Sequence, residues 1–448
     1  MKHYTFIIFG GTGDLAKRKL FPAIIAIVKK NPEYNITVLG IGRREYTKQE
    51  YIERSISETD LPKNLVIDYF IADVEKPNAL KDLKQKLESL ETAEVTGRIY
   101  YLATSSNLFG NIAKSIHSCC SEHKETFTRI IAEKPFGNDL KSSKKLNKTL
   151  RKYFSEEQLY RADHYLAKDT IDNIVRLRLS NPLFESIWNS KSVHRIKMVV
   201  DEELGVGNRI KYYDEAGALK DMFQNHMLET LSVVLMEPPI SLDDKDFEKS
   251  KVEAIKKLYF KDEILTGQYQ GYKEEIKGIN PGSKTETFVE LKLHSKAKRW
   301  KGTEIVLRTG KMLKKREAYI EIEFKKEPCM LYCTLGSAPN KLIIHIQPSD
   351  NIELTMNMTL PGEKMNVTPV KMTFSPSNEF SANSSEGYEV ILEECMLGNK
   401  RIFIGDKELD VAWSLTDKIA KFMKEVTPIE YAHASSGPEW KKENKFLQ

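Results

Sequence analysis

The chain has 448 residues, which is too long for one hydrophobic core and predicts two domains. Hydrophobic residues make up 40% and charged residues 30%, a balance typical of a compact soluble protein and not of a disordered or fibrous one. The 69 basic and 64 acidic residues give a net charge of only +5. This charge argues against a nucleic-acid-binding protein, although a locally basic pocket for an anionic substrate stays open.

The cysteines and the apolar runs indicate a cytoplasmic protein. Phe6–Phe9 is too short for the apolar core of a signal peptide and runs directly into glycine, so we expect no secretory signal. No run of about 18 apolar residues occurs, so we expect no membrane span. The five cysteines form no metal-ligand grouping, and we interpret all of them as reduced thiols: Cys119, Cys120, Cys329, Cys333 and Cys395.

The first 150 residues alternate short apolar runs with helical patterns. Tyr4–Phe9 predicts a strand, and an apolar face that starts at Phe21 predicts a helix that Asn31-Pro32 ends. Such βα units predict a doubly wound parallel sheet of the Rossmann type, which binds ligands at the carboxyl ends of its strands. The remaining predicted elements are the strands Ile36–Ile41, Val66–Ala72, Arg98–Ala103 and Thr128–Ala132, and the helices from a Thr47 cap through Ser57, Leu80–Leu90 and Phe109–Cys120.

The pattern changes after residue 165. Polar and apolar residues alternate in several later strands, as an antiparallel sheet with one wetter face requires. We therefore predict an α/β domain over residues 1–165 and an α+β domain over residues 166–448. The predicted elements of the second domain are the strands Val193–Val200, Phe288–Leu293, Ile305–Arg308, Tyr319–Phe324, Lys341–Ile346 and Ile352–Met356, and the helices Asp169–Leu179, Ala216–Met236, Gly387–Leu397 and Ala412–Glu425.

A glycine-rich turn joins the first strand to the first helix. Glycine lets the backbone approach a pyrophosphate, and the start of a helix offers N–H groups and a partial positive charge. A glycine cluster also suits an ordinary tight turn, but its place in a βαβ unit predicts a dinucleotide site. The turn consists of Gly10, Gly11, Thr12, Gly13, Asp14, Leu15, Ala16 and Lys17.

Two arginines follow the second strand, at the position where an NAD site usually carries an acid. Arg43 and Arg44 favour NADP⁺, since a basic side chain there can receive its extra phosphate. The alternative is that both are surface arginines after a strand. Lys134 follows the fifth strand and has two interpretations as well: a contact to sugar and nicotinamide, or an exposed strand-end lysine.

Two further segments concentrate groups suited to hydride chemistry. If a helix begins near residue 163, His164 and Lys168 share a face that suits a phosphate dianion, and otherwise the segment is an exposed, charged helix start. His226 interrupts an apolar helix face, where a histidine is more often a satisfied core residue than a base. The polar neighbours in the two segments are Asp163 and Tyr165 in the first, and Asp221, Gln224 and Asn225 in the second.

Taken together, these segments closely resemble the glucose-6-phosphate dehydrogenase family. The resemblance runs from Phe9 to Lys168 and continues through Glu202, His226 and the stretch Arg308-Thr309-Gly310-Lys311. It implies a Rossmann domain over residues 1–165 that binds the cofactor, and an α+β domain over residues 166–448 that has a large, mainly antiparallel sheet and binds the substrate. It also implies a homodimer or tetramer assembled through that sheet. It also implies oxidation of glucose 6-phosphate at C1 with NADP⁺, and with NAD⁺ as a secondary acceptor, as the first step of the oxidative pentose phosphate pathway.

The resemblance assigns a role to each matching position. His226 matches the general base, Asp163 matches its carboxylate partner, and Lys134 matches a lysine near both substrate and cofactor that precedes a cis proline. General frequencies would favour a trans bond at Pro135. The remaining positions match substrate contacts: His164, Tyr165 and Lys168 for the phosphate; Glu202 and Asp221 for the sugar hydroxyls; and Lys311, Arg316 and Gln347 for further contacts.

A few positions depart from the family pattern, and two other functions stay open. Ala162 and Ala167 replace the usual Ile and Gly, and Asp169 replaces Glu, without removing a functional group. His345 stands in place of an arginine, so we predict no second, structural NADP⁺ site. One alternative function is a sugar oxidoreductase that acts through a Glu-Lys-Pro lysine on unphosphorylated sugars. The other is a non-catalytic nucleotide or sugar-phosphate sensor that kept the fold.

Overall fold

The computed structural model describes residues 2–56, 61–76, 78–91, 95–120, 126–276, 278, 280–326, 337–362, 367–375 and 387–440. The chain forms two compact units. The first unit contains Met1–Lys168, Leu242–Glu248 and Ser384–Asp410, and the second contains Asp169–Ser241, Lys249–Asn383 and Val411–Gln448. The prediction that residues 1–165 bind the cofactor and residues 166–448 bind the substrate concerns function and stays a prediction.

The first unit contains the predicted parallel sheet. Its described strands lie in the order β3-β2-β1-β4-β5-β6, and every neighbouring pair is parallel. This order and the helices between the strands confirm the Rossmann prediction. The strands are β1 (Lys2–Phe9), β2 (Tyr34–Gly42), β3 (Leu65–Ile71), β4 (Gly97–Leu102), β5 (Phe127–Glu133) and β6 (Leu159–Ala162), the last of which was not predicted.

Four helices of this unit lie close to the predicted positions, and a fifth, over Leu140–Leu150, was not predicted. Thr47 caps the second helix through a capping box with Glu50, as predicted, while the predicted end at Ser57 lies outside the described residues. The helices are α1 (Phe21–Lys30), α2 (Lys48–Ser55), α3 (Leu83–Leu90), α4 (Phe109–Cys120) and α5 (Leu140–Leu150). Residues 387–397, far along the chain, add a helix whose buried Ile391 and Leu392 join the same core as Ile24 of α1.

The second unit contains a sheet of nine described strands in the order β14-β13-β12-β11-β7-β10-β9-β8-β15. Pairs β7–β10 and β8–β15 are parallel and the others are antiparallel, so the prediction of a mainly antiparallel sheet is confirmed. The strands are β7 (Val193–Asp201), β8 (Leu258–Tyr269), β9 (Phe288–Ser295), β10 (Glu304–Gly310), β11 (Glu317–Phe324), β12 (Lys341–Gln347), β13 (Ile352–Met358), β14 (Thr368–Phe374) and β15 (Ile429–Tyr431).

The remaining helices correct one prediction. The helix predicted over Ala216–Met236 is divided at Gly217, whose φ of 63° and ψ of 178° lie outside the helical region. A π-helix (Leu219–Met227) follows the break. The α-helices are α6 (Asp169–Leu179), α7 (Pro182–Ile187), α8 (Ile210–Ala218), α9 (Leu228–Leu235), α10 (Asp244–Lys256), α11 (Tyr272–Glu275), α12 (Gly387–Leu397) and α13 (Asp406–Met423).

The structure bears on the expectations about membrane spans and thiols only for the residues that it describes. None of the described helices combines the length and the apolar character that a membrane-spanning helix needs. Cys119 and Cys395 are thiols. Cys329, Cys333 and the side chain of Cys120 lie outside the described part of the chain.

Candidate functional site

The glycine turn of the first unit packs directly between the ends of two strands. The backbone N–H groups of Gly10 and Gly11 both donate to the carbonyl of Ile41, at 3.0 and 2.9 Å. Gly10 has a φ of +82°, and a Cβ atom there would lie 2.4 Å from the carbonyl oxygen of Ala103, which follows β4. Any other residue at this position would therefore be strained and would collide with backbone.

The turn leads straight into helical structure. The N–H of Gly13 donates to the carbonyl of Gly10 at 2.8 Å, and the N–H of Lys17 donates to the carbonyl of Gly13 at 3.2 Å. A short π-helix (Ala16–Leu20) continues into α1. The positive end of this helical run faces the turn, which is the arrangement that binds phosphate groups.

Tyr51 of α2 supports the turn from behind, and the sequence gave no sign of this role. Its hydroxyl donates to the carbonyl of Gly11 at 3.1 Å. A Cβ atom on Gly11 would lie 2.7 Å from that hydroxyl, and one on Gly40 would lie 1.9 Å from it. Burial raises the pKa of Tyr51 well above its ordinary value, so the hydroxyl stays a hydrogen-bond donor at neutral pH.

The end of β2 lies next to the glycine turn. A Cβ atom on Gly42 would lie 3.2 Å from the side chain of Thr12. Arg43 follows Gly42 and is exposed, and the carbonyl of Arg44 accepts a hydrogen bond of 2.7 Å from Tyr69. The predicted cation therefore stands beside the predicted phosphate-binding turn.

Lys134 follows β5 at the carboxyl edge of the sheet, beside a hydrogen-bonded carboxylate. The hydroxyl of Tyr101 donates to Glu133 Oε1 at 2.5 Å. Burial raises the pKa of Glu133, while its hydrogen bonds to Tyr101 and Tyr388 and the charge of Lys134 act in the opposite direction. The Lys134–Pro135 bond is cis, as the family resemblance implies. Sequence reasoning named the lysine but not the two tyrosines that hold its neighbour.

Four predicted residues follow β6: Asp163, His164, Tyr165 and Lys168. They lie before helix α6, which begins at Asp169, on a segment of consecutive turns. Asp163 is buried, and its Oδ1 accepts a hydrogen bond of 2.9 Å from the backbone N–H of Tyr165. The Lys168 ammonium lies 4.3 Å from the Tyr165 ring, and the His164 ring packs edge-on against it at 5.2 Å. The turns bring the histidine, phenol and ammonium groups together without the helix on which the sequence prediction depended.

In the second unit, the π-helix carries Asp221 and His226, which are both buried. A π-helix bonds each residue to the fifth one along the chain, so these two residues lie closer to one face than they would in an α-helix. Asp221 forms an ion pair of 3.2 Å with Arg209. Burial, followed by the charge of Asp221, raises the pKa of Tyr212 to about 12. Sequence reasoning missed Arg209 and Tyr212, which lie 12 and 9 residues before Asp221 in the chain.

Glu202 and Lys311 form an ion pair in this unit. The N–H of Glu202 donates to the carbonyl of Gly310 at 2.9 Å, which ties the end of β7 to the end of β10. The Lys311 ammonium also lies 5.3 Å from the ring of Tyr213. The structure therefore brings together two residues that are 109 positions apart in the sequence.

Strand register places two more predicted residues, Arg316 and Gln347, at the same edge of the sheet as Glu202 and Lys311. Asp201, which ends β7, is opposite Gly310 of β10 and Glu317 of β11. Gln347, which ends β12, is opposite Ala318 of β11. Arg316 is exposed and directly precedes β11. Four predicted substrate residues therefore lie at or next to strand ends at one edge: Glu202, Lys311, Arg316 and Gln347.

Comparison with known proteins agrees with these features over nearly the whole chain. The family profile described as "Glucose-6-phosphate dehydrogenase, NAD binding domain" matches residues 7–173. The profile described as "Glucose-6-phosphate dehydrogenase, C-terminal domain" matches residues 175–446. The chain belongs to the glucose-6-phosphate dehydrogenase family. It is therefore an oxidoreductase with a nicotinamide dinucleotide cofactor.

Individual members of the family show how far the similarity extends. The glucose-6-phosphate 1-dehydrogenase of Borreliella burgdorferi is 35% identical, with 98% of this chain and 96% of the relative covered. The enzyme of the same name from Bacillus subtilis is 34% identical, with 96% and 94% covered. A solved glucose-6-phosphate dehydrogenase in complex with glucose 6-phosphate is 27% identical, with a TM-score of 0.91 and 98% and 96% covered.

Proposed function

We propose that this chain oxidises glucose 6-phosphate at C1 to 6-phosphoglucono-1,5-lactone and passes the hydride to NADP⁺. The observation that carries the proposal is the edge of the nine-stranded sheet, where Glu202 and Lys311 are paired, Arg316 directly precedes β11, and Gln347 ends the adjacent strand β12. One carboxylate, one amide and two cations suit the hydroxyl groups and the negative charge of a sugar phosphate. The family membership supports the same substrate.

The residues of the glycine turn fit the pyrophosphate of a dinucleotide. Gly10 and Gly11 expose backbone instead of side chain where Ala103 and Tyr51 leave no room for a Cβ atom. The nicotinamide of the bound cofactor would supply the hydride acceptor. Arg43 beside Thr12 would receive the extra phosphate that distinguishes NADP⁺ from NAD⁺.

The other predicted residues orient the sugar and move one proton. His226 takes the proton of the C1 hydroxyl, which drives the electron pair of the C1–H bond onto the cofactor as hydride. An imidazole with an ordinary pKa of about 6.5 suits this work at neutral pH. The resemblance assigns Asp163 to stabilise the imidazolium, and it assigns the phosphate dianion to His164, Tyr165 and Lys168. Lys134 would contact both the sugar and the cofactor.

Steady-state assays with matched substrates test this function. We expect the purified chain to reduce NADP⁺ with glucose 6-phosphate, to reduce NAD⁺ less efficiently, and to be inactive with glucose. Reduction with glucose at a comparable rate would favour a sugar oxidoreductase instead. Nucleotide binding by folded protein without reduction of either cofactor would favour the sensor.

Arg43 carries the proposed cofactor preference. We expect Arg43→Ala to raise the KM for NADP⁺ roughly 10- to 100-fold, because a hydrogen bond to a charged group contributes roughly 1.5–3 kcal/mol. The KM for NAD⁺ should stay within about twofold, since NAD⁺ lacks the phosphate that the guanidinium binds. Equal changes in the two KM values, measured with saturating glucose 6-phosphate, would contradict the assignment.

We also propose that the chain is cytoplasmic and forms a homodimer, or a tetramer, through the nine-stranded sheet. Exposed apolar side chains on the last two strands at one side of this sheet support a contact there: Met356 and Met358 on β13, and Met372 and Phe374 on β14. Light scattering at micromolar concentration should give at least twice the mass of one chain. A mass of one chain, 51.5 kDa, would contradict the proposal.

A further inference from the structure

Glu286 accepts hydrogen bonds from the two residues that directly follow the break at Gly217. The N–H of Ala218 donates to the Glu286 carbonyl at 3.1 Å. The N–H of Leu219, the first residue of the π-helix, donates to Glu286 Oε1 at 3.0 Å. A break in a helix leaves backbone N–H groups without their helical acceptors, so one residue supplies the acceptors for two consecutive groups.

The carboxylate of Glu286 fits beside the break only because residue 217 is a glycine. Gly217 has a φ of +63°, and a Cβ atom there would lie 2.3 Å from Glu286 Oε1. Burial raises the pKa of Glu286 to about 7, while its hydrogen bond from Leu219 and the charge of Lys220 act in the opposite direction. Placing a carboxyl group here is therefore costly, and a shorter apolar side chain would cost less.

The next residue of the same segment holds the proposed substrate lysine. The carbonyl of Thr287 accepts a hydrogen bond of 2.9 Å from the N–H of Lys311. The hydroxyl of Tyr431 lies 2.9 Å from Thr287 Oγ1 and donates to the carbonyl of Lys311 at 2.6 Å. Two consecutive residues, Glu286 and Thr287, thus connect the π-helix that carries His226 with the turn that carries Lys311.

We propose that Glu286 is a positioning residue for the reaction. Its carboxylate fixes where the π-helix begins and thereby where Asp221 and His226 stand relative to Lys311. The role rests on the proposed function, because it is the proton transfer by His226 that requires this placement. Misplacing a catalytic group by about 1 Å costs up to about 100-fold in rate.

Three variants separate positioning from stability. Glu286→Ala removes the acceptor of the Leu219 N–H, and we expect kcat to fall roughly 10- to 100-fold while the KM for NADP⁺ stays unchanged. Glu286→Gln keeps an oxygen acceptor and should restore kcat to within about threefold of the wild type. Thr285→Val is the matched control: Thr285 donates to the carbonyl of Asp214 at 2.7 Å, on the other side of Gly217, so we expect it to leave kcat unchanged.

The outcomes that overturn the inference are distinct from failure of the proposed function. Glu286→Ala with wild-type kcat, Glu286→Gln as impaired as Glu286→Ala, or Thr285→Val as impaired as either would overturn it. A wild-type chain that is inactive on glucose 6-phosphate would count against the proposed function alone. The placement would then be read from the imidazole NMR resonances of His226, which Glu286→Ala should shift and Thr285→Val should not; no shift in Glu286→Ala would overturn the inference.

Discussion

Replacement of His226 by asparagine is expected to lower kcat with glucose 6-phosphate by a factor of about 10²–10⁴. Asparagine is close in size and keeps a polar side chain, but it cannot accept a proton from the C1 hydroxyl at neutral pH. His226 is buried on the π-helix, so removing its imidazole leaves water little access to act as a substitute base. Binding of NADP⁺, measured by titration, should be unchanged.

A second histidine serves as the control for this variant. His294 lies on the nine-stranded sheet, where its Nε2 is 2.8 Å from Glu263 Oε2, and nothing in the proposed mechanism uses it. His294→Asn should therefore keep wild-type kcat. A His226→Asn chain that is folded and turns over at the wild-type rate would show that the base has been assigned to the wrong residue.

Substitution of Gly10 by alanine is expected to destabilise the first unit and to abolish tight nucleotide binding. A left-handed backbone costs alanine about 1–2 kcal/mol, and the Cβ atom would lie only 2.4 Å from the Ala103 carbonyl oxygen. The strand end or the turn must move, so the total cost should reach about 2–4 kcal/mol. Native-state hydrogen exchange of the β1 and β4 amides measures this cost, and a fluorescence titration with NADPH measures the binding.

Gly302 offers a control that separates backbone strain from close contact. Its φ is +91°, but a Cβ atom there would have nothing within 4 Å. Gly302→Ala should therefore cost about 1–2 kcal/mol, read from the amides of β9 and β10, and should leave nucleotide binding intact. If Gly10→Ala cost no more than Gly302→Ala and still bound NADPH, the packing of the turn would not be what nucleotide binding requires.

Features with a local cause could be predicted from the sequence. The strand, glycine turn and helix at residues 4–30 follow one another directly, and Thr47 and Glu50 of the capping box are only three positions apart. Each depends on neighbouring residues, so the sequence pattern contains the information. The parallel sheet of the first unit follows from the same alternation of strands and helices, and the structure confirms it.

The supporting residues of the candidate site could not be predicted, because they are distant in the chain. Tyr51 contacts Gly11 across 40 positions, and Glu286 contacts Leu219 across 67. Neither belongs to a sequence motif. Their roles depend on which strands become neighbours, and a single sequence does not specify those contacts.

Strands β8 and β14 were also missed. In β8, Asp262 has a φ of 62° at a register shift between Phe260 and Ile264, and the charged residues there interrupt the alternation. In β14 Val370, Met372 and Phe374 do alternate with polar residues, but the strand is short and most of its side chains are exposed. The break at Gly217 was missed for a different reason, since a single glycine inside an apolar helical pattern usually does not end the helix.

The most direct test of the proposed reaction follows one hydrogen atom. Glucose 6-phosphate carrying deuterium at C1 is incubated with the chain and NADP⁺, and the reduced cofactor is analysed by mass spectrometry. Direct hydride transfer predicts that NADPH carries the deuterium and that the rate of a single turnover falls with the labelled substrate. NADPH without deuterium would contradict hydride transfer from C1.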